Sequence, residues 1–324
     1  MRLRRIAGAL LAACLTTAAA EAQTPPSQNW PSQTIRIVVP FPAGGLNDIV
    51  ARLIGPVLQD TFKETVIVDN RPGASGSLGT NAVVTARDGH TLLMVASSHT
   101  VAPATGNLPY DTERDLAPIA IVAANPLLFV TSDTVPAKSL KEFVALAKAK
   151  PGALNYASVG TASQAHLVTE LFARTAGISM QHIPYRGGAP AVTSLLAGDT
   201  QFAVLSPQVS LPQIEAGKMR ALAAGGLARD PQFLNIPTIA EQGYPDFEAI
   251  QWVGLLAPKG MPAGAIEKLN AQINRVIQTP DMIAKFAQLG MAPAGGTPEQ
   301  FQSVIVREIK VWTEVARTAD IKAP

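Results

Sequence analysis

Apolar and polar positions along the chain fall into short blocks of two periods. Thr34-Ile35-Arg36-Ile37-Val38-Val39-Pro40 is a β-branched run closed by proline, which predicts a buried strand. Phe41 to Leu46 is a Pro/Gly turn. Behind it stand Asn47 and Asp48, residue types that cap helices, and then Ile49, Leu53 and Val57 at helical spacing. Thr65 to Val68 predicts a second strand, Ser77 to Ala86 a helix, and Thr91 to Ala96 a third strand. This alternation predicts a mostly parallel sheet with helices on its faces.

The pattern then repeats. Pro118 to Val130 holds two apolar runs split by Asn125-Pro126, and Ser139 to Lys148 is amphipathic. Asn155 to Ser158 reads as a strand, followed by a small-residue turn and a helix that Ser163 caps and Gly177 stops. Gln181 to Pro184, Phe202 to Leu205 and Arg220 to Ala224 read as strands, and Pro190 to Ala197 as a helix. After Ile250 to Ala257 the chain is expected to be helical, with Pro262 opening one helix and Thr297-Pro298-Glu299-Gln300 a capping-box start for the last. Two α/β units followed by a helical tail leave a cleft between the units, near the carboxyl ends of the strands.

The first 33 residues do not fit this pattern. Arg2, Arg4 and Arg5 precede an apolar run from Ile6 to Ala20, and Ala20-Glu21-Ala22 is a small-x-small cleavage site. Residues 1–22 are expected to be an export signal, too short and too Ala-rich to span a membrane. Leu11-Ala12-Ala13-Cys14 also resembles a lipobox, but the downstream cleavage site fits a soluble product better. Residues 23–32 are polar and Pro-rich and read as a tether.

Composition narrows the function classes. The formal charge is +2, and charged residues are 15% of the chain, which gives a nucleic-acid partner no electrostatic basis. Removing residues 1–22 takes Arg2, Arg4, Arg5 and Glu21 with it and leaves 23 basic against 23 acidic residues, so the net charge belonged to the export segment. Cys14 is the one cysteine, which rules out an internal disulfide, a cysteine-based zinc site and, after export, thiol catalysis.

Two turns could carry chemistry. In Pro40-Phe41-Pro42-Ala43-Gly44-Gly45-Leu46-Asn47-Asp48 the paired glycines allow close backbone approach, and the helix start beyond them offers unpaired N–H groups that can hold a carboxylate without Lys or Arg. Ser158-Val159-Gly160-Thr161-Ala162-Ser163 repeats the arrangement in the second unit. Asn70 to Gly76 is a third Gly-rich turn without a dinucleotide or Walker spacing, and Arg71 there is expected to fix the turn. His90, His99, His166 and His182 form no metal-ligand or H-E-x-x-H pattern, and no G-x-S-x-G elbow exists. His99 is expected at the mouth of the cleft. Asp48 and His166 are expected to cap or pack, and a secreted hydrolase or lyase using Asp48 with His99 or His166 stands as the rival reading. No catalytic residue, metal or cofactor is expected.

Ile37 to Arg52, Val68-Asp69-Asn70-Arg71-Pro72-Gly73-Ala74, Asp88-Gly89-His90-Thr91-Leu92-Leu93, Pro109-Tyr110-Asp111, His182 to Gly187, Gly217 to Leu222, Pro237 to Glu241 and Trp252-Val253-Gly254 occur in order along the chain. In these motifs the chain, from about Trp30 to its end, resembles the Bug family of periplasmic solute-binding proteins of tripartite tricarboxylate transporters. The resemblance implies a two-lobed type II periplasmic-binding-protein fold. Lobe one would be residues 33–131 plus 252–324 and lobe two 132–251, with crossings near Phe129 to Ser132 and Ile250 to Val253. It implies a carboxylate pinched between Phe41 to Asp48 and Ser158 to Ser163. The ligand-binding set is then Phe41, Ala43, Gly44, Gly45, Asn47, Asp48, Ser158, Gly160, Thr161 and Ser163, with Ser97, His99, Tyr185 and Ser206 lining the far end. The familiar Asp-Gly-Tyr motif reads Asp88-Gly89-His90 here and is expected to be structural. The implied partners are a mono- or dicarboxylate, aromatic ones included, and the membrane components of a tripartite transporter. A sensor kinase is the alternative recipient, and the protein is expected to be a monomer.

Overall fold

The computed structural model describes residues 30–323, so the expected export segment, Cys14 and most of the expected tether lie outside the described residues. The first unit runs β1 (Ile35–Val39), α1 (Leu46–Phe62), β2 (Val66–Asn70), α2 (Ser77–Val84), β3 (Thr91–Ala96), α3 (Ser98–Thr105) and β4 (Leu116–Pro126). The second runs β5 (Leu128–Ser132), α4 (Leu140–Ala149), β6 (Asn155–Ser158), α5 (Gln164–Ala176), β7 (Gln181–Pro184), α6 (Gly188–Ala197), β8 (Phe202–Leu205), α7 (Pro207–Glu215) and β9 (Met219–Ala224). The chain then returns through β10 (Ile250–Pro258) to α8 (Ala263–Val276), α9 (Pro280–Gln288), β11 (Ala292–Gly295) and α10 (Pro298–Thr318).

Among the described residues these strands form a six-stranded sheet in the order β11-β4-β10-β3-β1-β2 and a five-stranded sheet in the order β7-β6-β8-β5-β9. Both are mixed rather than mostly parallel. Only β2-β1-β3 and β7-β6-β8 are parallel, and every strand beyond them pairs antiparallel. Helical crossovers build the parallel parts, whereas strands that cross from one sheet to the other return directly and antiparallel.

The inner strands of the first sheet are largely buried on both faces, which explains their apolar runs. Ile35, Ile37 and Val39 face α1 and α8; Val38, Leu93 and Val95 face Phe301 and Ile305 of α10. The second sheet is centred on Phe129, Phe143, Phe172 and Phe202, with Phe143 and Phe202 stacked at 4.7 Å.

Three expectations shift. The crossing from the first sheet to the second lies at Leu127, not at Phe129 to Ser132: Leu128 to Thr131, expected in lobe one, pair with β8 and β9 of the second sheet. Leu127 is fixed there by its N–H to Ala249 O (2.9 Å) and by Gly225 N–H to its carbonyl (2.8 Å). Secondly, the tail is not wholly helical, because β11 adds an edge strand beside β4. Thirdly, the last helix does not pack on the first lobe alone. Trp312, Val315 and Ala316 of α10, with Val101 of α3, belong to the core of the second sheet.

The smaller expectations hold. Ser163 caps α5 and Thr297 makes the full capping box of α10. Asp88 accepts the N–H groups of His90 and Thr91 and the Thr91 hydroxyl, while His90 Nε2 takes the N–H of Ser32, so this motif pins the chain entry to β3.

Candidate functional site

The loop after β1 is built from within and from its neighbours. Gly44 adopts φ +83, a left-handed conformation that glycine takes without strain. Its N–H donates to Asp48 Oδ2 at 2.9 Å. Arg52, one turn further along α1, clasps the same carboxylate at 3.0 and 3.1 Å and also donates to Asn70 Oδ1. Asn70 in turn donates to the carbonyl of Phe41 at 3.2 Å. Burial by itself would raise the pKa of Asp48, but Arg52, the Gly44 N–H and Asn70 outweigh it and hold the carboxyl below its usual range. Asp48 is therefore a charged, neutralised brace and not a free base.

The helix cap is Gly45, two residues before the first of the residues expected to cap, and it offers no side chain. The first helical bond runs from Ile49 N–H to Gly45 O, so the N–H groups of Leu46, Asn47 and Asp48 have no intrahelical acceptor. They face the end of the sheet where the loop leaves β1. Of the two glycine donors expected to reach a ligand, Gly44 is spent on Asp48 and Gly45 points at Pro42 O at 3.4 Å. Pro42, Ala43, Gly44 and Gly45 are all exposed.

The loop after β6 is braced by histidines. Ser158 is fully buried, and its hydroxyl lies 2.6 Å from His182 Nε2 and 3.0 Å from Gly160 O. Ala162 N–H donates to His166 Nδ1. The two imidazoles stack at 3.7 Å with Tyr156 against His182. Burial, then the neighbouring His182, pushes His166 down to about 4, and burial lowers His182. The hydroxyl of Ser163 accepts the His166 N–H, and the first helical bond of α5 is Leu167 N–H to Ser163 O. The free donors are the N–H groups of Gln164 and Ala165, while Thr161 is exposed at the tip.

The two lobes that carry these loops meet through side chains beside them. β3 lies beside β1, and the Ser97 hydroxyl at its end meets Gln164 Oε1 at 2.6 Å across the lobes. Gln164 Nε2 reaches Ile250 O at 2.8 Å, so this glutamine ties α5 to the crossing strand. Gln208 at the start of α7 donates to Leu289 O on the opposite wall. Tyr185 is half-buried, and its N–H bonds Ser158 O at 3.0 Å. Ser206 begins α7 with a hydroxyl that makes no cap bond.

His99 stands apart. It is buried, its Nε2 has no partner among the described residues, and burial pushes it down to about 4. With Phe41, Gly76, Thr80 and Tyr110 it lines a void of about 20 Å3 behind the first loop. No base–nucleophile pair forms from Asp48, His99 and His166, and among the described residues no group of three acidic, histidine or cysteine side chains is placed to hold a metal.

Several contributors were not singled out in the sequence. Arg52 and Asn70 brace the first loop, and the Asp48/Arg52 spacing of four is the signal that points to them. Gly76, at φ +93, lies where an added Cβ would be 3.1 Å from the Phe41 ring, so the third Gly-rich turn is a buttress for Phe41. Arg71, as expected, fixes its turn through Asp69 at 2.9 Å. Gln164 and Gln208 carry no local signal.

A family model described as a tripartite tricarboxylate transporter family receptor matches residues 50–321. Protein BugT of Bordetella pertussis is 37% identical over 99% of this chain and 98% of its own length. Among solved structures, "R. palustris Rpa4515 with adipate" is 31% identical with a TM-score of 0.74, over 90% of this chain and 99% of that one. MatC (Rpa3494) from Rhodopseudomonas palustris with bound malate is 30% identical with a TM-score of 0.71, over 88% and 99%.

Proposed function

Because the chain belongs to the tripartite tricarboxylate transporter receptor family, we propose that it is a periplasmic receptor that captures a small organic carboxylate and hands it to the membrane components of a tripartite transporter. The observation that carries this reading is the pair of helix starts at the cleft. The free N–H groups of α1 and of α5 supply positive dipole ends from both lobes, and the only charges built into the two loops, Asp48 and Arg52, neutralise each other. Such a site holds an anion by backbone donors in a partly dry cleft, where each hydrogen bond gains strength.

The donors differ from the expected set. Leu46 and Asn47 replace Gly44 and Gly45 as backbone donors, and Gln164 and Ala165 replace the hydroxyls of Ser158 and Ser163. Phe41, Ala43, Thr161, Tyr185 and Ser206 form the walls that select the rest of the ligand. Ser97, through Gln164, acts on how the lobes close. Solved relatives titled with adipate and malate make dicarboxylates the first ligands to test.

A thermal-shift screen over mono-, di- and aromatic carboxylates tests the reading. At least one carboxylate raises the melting temperature by several degrees and is recovered unchanged. Consumption of the stabilising compound, or stabilisation by none of them, overturns it.

A further inference from the structure

The strand orders leave a second space on the far side of the crossing strands. In the first sheet β3, β1 and β2 lie on one side of β4 and β10, and β11 lies on the other. In the second, β8, β6 and β7 lie on one side of β5 and β9 on the other. The loops after β1, β3, β6 and β8 leave the first group of strands. A groove of about 930 Å3 lies between β4, β10, β11 and α10 on one lobe and α5 with residues 243–248, which follow β9, on the other. That volume suits a small molecule.

The walls are mainly apolar and aromatic, with Tyr244, Phe247, Trp252, Val311 and Trp312 among them. Its charged residues are Asp246, Glu248, Glu308 and a single cation, Arg307. Arg307 is committed to Glu248 at 2.8 Å. Glu308 is held only by neutral groups: the Thr100 hydroxyl at 2.6 Å and the Trp252 indole N–H at 3.0 Å. The Thr100 hydroxyl also lies 2.8 Å from Ser97 O. One hydroxyl hydrogen cannot serve both acceptors at once: Thr100 donates to Glu308 when the acid is ionised, whereas a protonated Glu308 can donate to Thr100 while Thr100 donates to Ser97 O, which also accepts the Thr100 N–H at 3.2 Å. Burial raises Glu308 to about 7, in line with that arrangement. A half-buried acid paired only with neutral groups and set beside aromatic faces can, once ionised, take an ammonium as its counterion.

We propose that this groove is a second binding site, for a small amine with an aromatic or branched apolar body, whose ammonium meets Glu308 and Asp246 while the body packs on the aromatic wall. Binding ionises Glu308, and the Thr100 hydroxyl then turns from Ser97 O to the carboxylate. Ser97 is the residue that bonds Gln164 across the cleft. The amine is thereby linked, through two hydrogen bonds, to the contact that joins the lobes in front.

Calorimetric titration of the purified protein with phenethylamine, phenethyl alcohol and phenylacetate, in buffers of different ionisation enthalpy, tests the site without reference to the front ligand. Phenethylamine binds at one site with net proton release at pH 6, the alcohol binds at least tenfold more weakly, and phenylacetate does not displace the amine. Glu308→Gln removes the proton release and the preference for amine over alcohol. Ala294→Arg, at an exposed position on the groove wall, abolishes amine binding with the melting temperature unchanged. Equal affinity for amine and alcohol, binding without proton release, or amine binding that survives Ala294→Arg overturns the proposal.

Discussion

Two histidines and one glutamate have shifts that act in opposite directions between pH 7 and pH 5, and their balance sets the acid stability of the protein. His99 and His166 are held neutral by burial, each pushed from 6.5 to about 4. Unfolding lets them take up protons below pH 6.5, so their contribution is present at neutral pH and is lost as pH falls toward 4. Integrated from pH 7 to pH 5, each loses up to about 2 kcal/mol. Glu308 runs the other way, from 4.5 up to about 7: the folded state holds the proton more tightly, and stability rises by about 2 kcal/mol over the same interval. His182, also lowered by burial, adds to the loss. Asp48, Asp69 and Asp88 are all lowered, so their contribution is lost only at more acid pH. The net expectation is a loss of about 2 kcal/mol from pH 7 to pH 5, rising to about 4 in Glu308→Gln, which lacks the opposing group. His166→Asn should flatten the profile by about half of that larger loss. Urea unfolding followed by circular dichroism at pH 7, 6 and 5 reads all three. A wild-type profile that is flat or rises toward pH 5, or a Glu308→Gln profile no steeper than wild type, refutes the assignment of these groups.

Two further predictions concern the first loop. Arg52→Met removes the partner that neutralises Asp48 and frees Asn70 from one of its bonds; a carboxylate that stabilises the wild type should bind about tenfold more weakly, a change of roughly 1.4 kcal/mol, and partial recovery in 1 M salt, read by calorimetry, distinguishes charge repulsion from loop collapse. Gly44→Val forces a β-branched residue into φ +83 and should cost about 1–2 kcal/mol of stability, whereas Gly45→Val, at φ −76 with its nearest neighbour 3.4 Å away, should leave the melting temperature unchanged and weaken ligand binding by bulk alone; equal melting temperatures for the two variants would place the strain elsewhere.

Much of the local architecture was legible in the chain. The runs at Ile35 to Val39, Thr91 to Ala96 and Asn155 to Ser158 are strands because β-branched and apolar residues stand in short blocks between turn residues. Ser163 and Thr297 cap their helices because a hydroxyl three residues before an N–H is a local geometry. The positions of both loops at the cleft follow from the same alternation of strand and helix.

What each loop atom does was not legible. Ser158 looked like a donor until His182, on a different strand, was found to occupy its hydroxyl. Gly44 looked free until Asp48 took its N–H. β11 escaped notice because Ala292-Pro293-Ala294-Gly295 has no strand pattern of its own and is a strand only by virtue of β4 beside it. The crossing slid to Leu127 because apolar periodicity is the same in β4 and β5, and only the pairing partner tells which sheet a strand enters. The groove behind the crossing strands, with Glu308 and Trp252 brought together from 56 residues apart, exists only once α10 has bridged the two cores. The sequence by itself determined period, caps and turns, since these depend on neighbours within a few residues. Only the tertiary structure decided which donors remain free and where a charge is left without its counterion, because both depend on partners that distant chain segments supply.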